Sequence, residues 1–268
     1  MSDIYLGNNV DVMKDNIESE SVDLIVTSPP YDKVRDYNGF EVDLHGLGEQ
    51  SFRVLKDGGI MAMVINDGTK DFGKSLTTYR TIIDYCDNIG FKLFENIIYS
   101  RFGRPGAWWN KRFRVDHEYI LLFLKGYRPK YFNKEPLKID AIHAGTEWHG
   151  TQRLTSGEMI PIKKTMQAST KCRGTIWKYN TSNTEKDKSK MAHPATFPDK
   201  LAEDLIVCFS REGDTILDPF VGSGTVPIVA TKNNRNYIGI DISAEYISLS
   251  LERIRRIDET EKSSYAYL

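Results

Sequence analysis

Cysteine is scarce in this chain. The three present, Cys86, Cys172 and Cys208, lie far apart, and no C-x-x-C occurs. That excludes a disulfide framework and a cysteine-built zinc cluster, and it suits a reducing compartment. Net charge is also almost absent: 36 Lys and Arg stand against 37 Asp and Glu, leaving −1 with neutral histidines. Any grip on a polyanion must come from a local basic surface, not from overall charge. No apolar run approaches the roughly 20 residues that a membrane-spanning helix needs. The opening M-S-D-I-Y-L-G-N-N-V lacks the basic-then-apolar pattern of a secretory signal. The expectation is a soluble, cytoplasmic protein with no membrane partner. Its 268 residues, 40% of them apolar, suffice for one large domain with a sizeable insertion.

Short apolar runs alternate with amphipathic segments. Val22–Val26 and Ile60–Ile65 read as buried strands, with Phe91–Tyr99 and Tyr119–Leu124 as further candidates. Leu47–Leu55 reads as a helix stopped at Asp57-Gly58-Gly59, and Leu76–Ile89 as a helix stopped by Gly90. Beyond Lys125 the periodicity fades, and residues 125–190 hold 14 Lys and Arg against 6 Asp and Glu. Trp148, Trp177, Tyr131 and Tyr179 lie among them, a composition suited to phosphates and bases. The pattern then returns: helix Pro198–Phe209, strand Thr215–Asp218, helix Val226–Asn233, strand Tyr237–Ile242. Such alternation predicts a mostly parallel α/β sheet with helices on both faces.

Two stretches carry chemistry. In T-I-L-D-P-F-V-G-S-G-T, residues 215–225, a strand runs into Gly222-Ser223-Gly224 and a helix follows. This unit brings a ligand close to backbone N–H groups. The next strand reaches Asp241, where an acid can accept hydrogen bonds from ribose hydroxyls. A dinucleotide oxidoreductase would want a third glycine where Pro227 stands, and would leave Asp218-Pro219-Phe220 unexplained. A nucleoside with a charged amino-acid tail fits better, with Asp218 facing its ammonium group. The other stretch, S-V-D-L-I-V-T-S-P-P-Y, is a buried strand cut short by Pro29 and Pro30, with Ser28 before the break and Tyr31 after it.

Together these resemble the permuted β group of DNA amino-methyltransferases, with a [D/N/S]-P-P-[Y/F] tetrad first and an F-x-G-x-G loop last. Here they are Ser28-Pro29-Pro30-Tyr31 and Phe220-Val221-Gly222-Ser223-Gly224. Asp116-His117-Glu118-Tyr119 and His193-Pro194 resemble further elements of that group. The resemblance implies a Rossmann-like class I methyltransferase fold with circularly permuted motif order. Residues 1–124 and 191–268 would form the catalytic and cofactor-binding halves, and 125–190 an inserted target-recognition region. It implies S-adenosylmethionine as cofactor, held by Asn8, Asp11, Thr27, Asp218, Phe220, Gly222, Gly224, Thr225 and Asp241. Members often carry Gly-Asp where this chain has Gly7-Asn8, so Asn8 would offer the adenine amine a neutral carbonyl.

The tetrad residues Ser28, Pro29, Pro30 and Tyr31 are then catalytic, acting on a base flipped out of double-stranded DNA. Lys33, Arg35, Arg101, Arg104, Lys111, Arg112, Lys163 and Lys164 are candidate DNA contacts. Serine at the head of the tetrad leans towards N4 of cytosine, with N6 of adenine the alternative. An RNA base methyltransferase and a non-catalytic DNA-binding homologue are the remaining readings. The resemblance also implies a cognate restriction endonuclease as a candidate partner, and a monomer or homodimer. His117-Glu118 lacks further ligands at zinc spacing, so no metal is expected.

Overall fold

The computed structural model describes residues 2–30, 42–101, 112, 113, 115–179 and 198–265, with 101 and 257–265 by backbone alone. Two compact units are present: residues 1–133 with 175–268, and Lys134–Gly174.

The larger unit is built on eight strands: β1 (Asp3–Leu6), β2 (Val22–Thr27), β3 (Leu55–Ile65), β4 (Lys92–Arg101), β5 (His117–Leu124), β6 (Ile176–Tyr179), β7 (Thr215–Asp218) and β8 (Asn236–Asp241). Their spatial order is β1-β8-β7-β2-β3-β5-β4-β6. All run parallel except β5, which is antiparallel to both β3 and β4. The central strands are the ones with continuous apolar runs. All six residues of β2 are buried, as a parallel strand covered on both faces requires. Its one acid, Asp23, is held by Lys56 at 2.7 Å and Lys130 at 3.1 Å, and accepts the Thr215 N–H at 3.1 Å.

Among the described residues six α-helices accompany the sheet: α1 (Asn9–Asn16), α2 (Leu44–Val54), α3 (Thr77–Ile83), α4 (Asp199–Phe209), α5 (Thr225–Lys232) and α6 (Ala244–Tyr265). Met13, Leu47, Val54 and Tyr85 join Met61, Met63, Ile65, Leu121 and Phe123 in one core on one face. Strand alternation turns Ile60, Ala62 and Val64 to the other face, and α4 lies against β2 and β3. After α3 the chain continues as a π turn, Asp84–Ile89, ended by Gly90 at φ 106°. Tyr85 in that turn is fully buried and donates its hydroxyl to the Leu44 carbonyl at 2.7 Å. A Cβ on Gly48 would stand 2.5 Å from the Tyr85 ring, so glycine lets α2 approach the turn.

Two boundaries depart from the sequence reading. Helix α2 ends at Val54, and Asp57-Gly58-Gly59 lies inside β3. There Gly58 adopts φ 77° and its N–H reaches the Lys125 carbonyl, while the β2–β3 register slips beside it. The glycines accommodate an irregular strand; they do not stop the helix. Residues 125–190 are also more regular than their composition suggests. Within Lys134–Gly174, three antiparallel pairs are nested: Lys138–Asp140 with Thr170–Cys172, Glu147–Trp148 with Thr165–Met166, and Thr151–Arg153 with Met159–Pro161. This is a single long ribbon, interrupted twice. Nearly all its paired residues are exposed, Ile139, Trp148, Met159 and Met166 among them.

Candidate active site

Parallel strands deliver their carboxyl ends to one rim of the sheet, where ligands bind. Here β1, β2, β3, β7 and β8 end together. Hydrogen bonds stitch the loops that leave them. Gly7 N–H donates to the Asp241 carbonyl at 2.9 Å. Gly222 N–H donates to Asp241 Oδ2 at 2.9 Å, and Ser243 N–H to Oδ1 at 2.9 Å. Thr27 Oγ1 donates to Asp218 Oδ1 at 2.9 Å, which also accepts the Phe220 N–H at 3.1 Å. One hydroxyl–carboxyl contact thus joins the strand that ends in the tetrad to the strand that ends in the glycine loop.

The loop itself needs its glycines. Gly222 lies at φ 48° and Gly224 at φ 83°, both left-handed. A Cβ on Gly224 would also fall 2.4 Å from Ser250 Oγ of α6. Helix α6 braces the loop a second time, as Arg253 donates from Nη1 to the Ser223 carbonyl. Gly224 precedes the first turn of α5, whose N–H groups point at the rim.

Electrostatically the rim is poised for a cation. Asp218 is buried, and burial pushes its carboxyl up to about 7, against the pull of the Phe220 and Thr27 hydrogen bonds. Asp241 is also raised by burial, opposed by the backbone donors of Ser243, Gly222 and Ile242. Two buried polar atoms on this rim, Asn9 Nδ2 and Thr225 Oγ1, have no hydrogen-bond partner among the described residues. A buried unpaired polar group is costly, so these two have hydrogen-bonding capacity to offer a ligand at the rim. Two carboxyls, an orphaned amide and hydroxyl, and a backbone cradle fit a nucleoside with an ammonium-bearing tail.

Of the predicted cofactor residues, Thr27, Asp218, Phe220, Gly222 and Asp241 are joined on this rim by the hydrogen bonds above. Thr27 and Pro29 are buried, and Ser28 and Pro30 are half-buried. Phe220 packs at the edge of the core. Asn8 differs from expectation: its Oδ1 caps α1, accepting from Val10 N–H at 2.9 Å and Asp11 N–H at 3.4 Å, so that carbonyl is engaged with the helix. Asp11 is exposed in the first turn of α1.

Among the candidate DNA contacts, Arg112 donates to the Phe72 carbonyl at 2.7 Å. Arg101 ends β4. Lys163 and Lys164 are exposed in the ribbon unit, where Lys164 lies 3.4 Å from Glu147. Tyr31, Lys33, Arg35, Arg104 and Lys111, like His193 and Pro194, lie outside the described residues. The His117 carbonyl accepts from Asn66 Nδ2 at 2.9 Å, and no group of three metal-ligating side chains occurs among the described residues.

Sequence reasoning missed Asn9, Ser250, Arg253 and Asn66. Asn9 had a signal in the doubled asparagine after Gly7. Ser250 and Arg253 had none, because an ordinary amphipathic helix carries them.

The DNA methylase family, N6_N4_Mtase, matches residues 22–252. The orphan methyltransferase M.BamHII of Bacillus amyloliquefaciens is 35% identical over 91% of this chain and 92% of its own length. The cytosine-N4-specific PvuII DNA methyltransferase superposes with a TM-score of 0.69 at 20% identity, over 93% of this chain and 85% of that one, which speaks for the fold. Protein TTHA0409 of Thermus thermophilus, solved with S-adenosyl-L-methionine, superposes with a TM-score of 0.63 at 26% identity, over 96% and 94%. The tetrad strand, the braced glycine loop and the relatives agree, and the chain belongs to the DNA methylase family as an S-adenosylmethionine-dependent DNA methyltransferase.

Proposed function

We propose that the enzyme methylates N4 of cytosine in a specific sequence of duplex DNA. The observation that carries this reading is the residue heading the tetrad. Ser28, not an acid, follows directly on β2, one residue beyond the Thr27–Asp218 contact. An exocyclic amine is a weak nucleophile, because its lone pair is delocalised into the ring. Ser28 Oγ and the Pro29 carbonyl are the acceptors that draw its two protons into place and turn the lone pair outward. Pro29 and Pro30 stiffen the loop, so the acceptors stand ready before the base arrives. The Tyr31 ring supports the extruded base. Bound S-adenosylmethionine supplies an electrophilic methyl group, with Asp218 facing its ammonium and Asp241 its ribose. Asn9 and Thr225 give their orphaned atoms to the same ligand. A serine is no strong base, so the amine loses its proton only after the new N–C bond forms, and no covalent enzyme–base adduct arises.

Target recognition falls to the ribbon unit, with Lys163 and Lys164 on its surface. A two-stranded ribbon is narrow enough to enter a major groove. Lys33, Arg35, Arg101, Arg104, Lys111 and Arg112 hold the backbone near the target. The setting is the cytoplasm, with a cognate endonuclease as partner and a monomer or homodimer as the working form.

The test is to incubate the enzyme with labelled donor and either plasmid or total cellular RNA, digest to nucleosides and weigh the product. N4-methyldeoxycytidine supports the proposal. N6-methyldeoxyadenosine would replace it with the second reading, which stays in play because a hydroxyl can accept from either amine. Label in RNA alone, or none at all, would overturn both.

A further inference from the structure

After β3 the chain leaves the rim through Asn66 and Asp67 and turns back on itself as a small hairpin, Thr69–Lys70 paired with Gly73–Lys74. Its tip is Asp71-Phe72, with φ of 48° and 61°. Two central residues at positive φ make the tight hairpin turn that strongly prefers Asn-Gly or Asp-Gly. Aspartate tolerates the first position. Phenylalanine at the second is an outlier, because a bulky side chain rarely adopts that backbone. Phe72 is nevertheless 63% exposed. Glycine and asparagine are the residues whose backbone such a turn position prefers. Strain held at an exposed position points to use.

The hairpin is also firmly founded. Lys74 Nζ donates to the Asp67 carbonyl at 3.1 Å and Ser75 N–H to the Gly68 carbonyl at 3.2 Å. Asp67 Oδ1 accepts the Thr78 N–H at 2.9 Å, and Arg112 grips the Phe72 carbonyl itself at 2.7 Å. Its strand, β3, lies beside β2, with Met63 opposite Thr27, so hairpin and tetrad leave neighbouring strands on the same rim. Lys70, Lys74 and Arg112 bring three positive charges to the hairpin against Asp67 and Asp71, a surplus that suits a polyanion.

We propose that Phe72 is a positioning residue for methyl transfer, a wedge whose ring enters the base stack beside the target and keeps the gap open while the target base is out. This rests on the proposed action on a base extruded from duplex DNA. Apolar side chains on rigid supports can separate base steps in this way, and every base offers a face for the ring.

The experiment compares wild type with Phe72→Asn and Phe72→Trp, using plasmid DNA and tritium-labelled donor in single turnover. Asparagine suits the turn, so Phe72→Asn should melt no lower than wild type and bind S-adenosylmethionine unchanged. Its transfer rate at saturating plasmid should fall roughly tenfold or more, since unstacking is no longer compensated, while plasmid affinity changes by less than about threefold. Phe72→Trp should keep most of the rate. The wedge is overturned if Phe72→Asn transfers at the wild-type rate, or if Phe72→Trp is as slow as Phe72→Asn. It is equally overturned if the loss tracks a change in sedimentation, which would make the tip a contact between two copies. A wild-type enzyme that leaves the plasmid unlabelled removes the functional reading and the wedge with it. A labelled plasmid with a fast Phe72→Asn variant removes the wedge alone.

Discussion

As the proposed partner of the cofactor's ammonium, Asp218 would make binding sensitive to pH. Its carboxyl stands at about 7 because burial disfavours the charge. In the empty protein its contribution to stability is full below the ordinary value of 3.8 and is lost as pH rises through about 7. A ligand ammonium needs the ionised form. Affinity for S-adenosylmethionine should therefore rise as pH climbs from about 6 to about 8, and the melting shift caused by the cofactor should grow with it. Calorimetry across that range measures the first and thermal denaturation the second, and Asp218→Asn should flatten both.

In the proposed mechanism Ser28 acts on the other substrate. Ser28→Ala should lower single-turnover transfer by about 3 kcal/mol, roughly a hundredfold, with donor affinity unchanged. At this scale the site was legible where chemistry dictates residue type. Gly222 and Gly224 are glycines because the backbone turns left-handed there, and Asp218 and Asp241 end strands at the ligand rim. Asn8 was legible only as a polar residue after a strand. Whether its oxygen serves a ligand or its own helix depends on a rotamer that sequence does not encode.

Among the elements, the contact between the glycine loop and α6 carries a prediction. Gly224→Ala adds a Cβ against Ser250 and forces alanine to φ 83°. It should cost about 2 kcal/mol of stability and weaken cofactor binding, because α6 can no longer close on the loop. Denaturant unfolding checks the first and calorimetry the second. Elements were legible in proportion to burial. The central strands β2, β3 and β5 announce themselves because both faces are covered. The edge strands do not: β1 is only half-buried, and β6 alternates exposed and buried residues over four positions. The ribbon pairs are exposed at nearly every position, so backbone pairing holds them and no hydrophobic period marks them. The π turn was invisible for a different reason. It follows a helical pattern without a break, and its cause, the insertion of Tyr85 beneath Gly48, lies between elements.

For the whole molecule, the nesting of the ribbon sets an expectation. Lys138 pairs with Cys172, so the two ends of the ribbon lie side by side. Replacing residues 136–173 with a short glycine–serine turn should leave the sheet folded and cofactor affinity intact, while methylation loses its sequence preference. Sequencing of methylated positions in a treated plasmid, beside a cofactor titration, would show this. A variant that keeps its preference would move recognition elsewhere.

The order of the strands has a consequence in time. β2 needs β7 on one side, and β1 needs β8, yet β7 and β8 are made only after residue 214. During synthesis, about two hundred residues emerge while the fully buried strand β2 has one open edge. At ordinary elongation rates of roughly 5–20 residues per second, that is on the order of ten seconds or more. An unpaired hydrophobic edge invites other chains to pair with it. The nascent enzyme should therefore lean on chaperones more than its size suggests, and proteins truncated before β7 should collect in inclusion bodies.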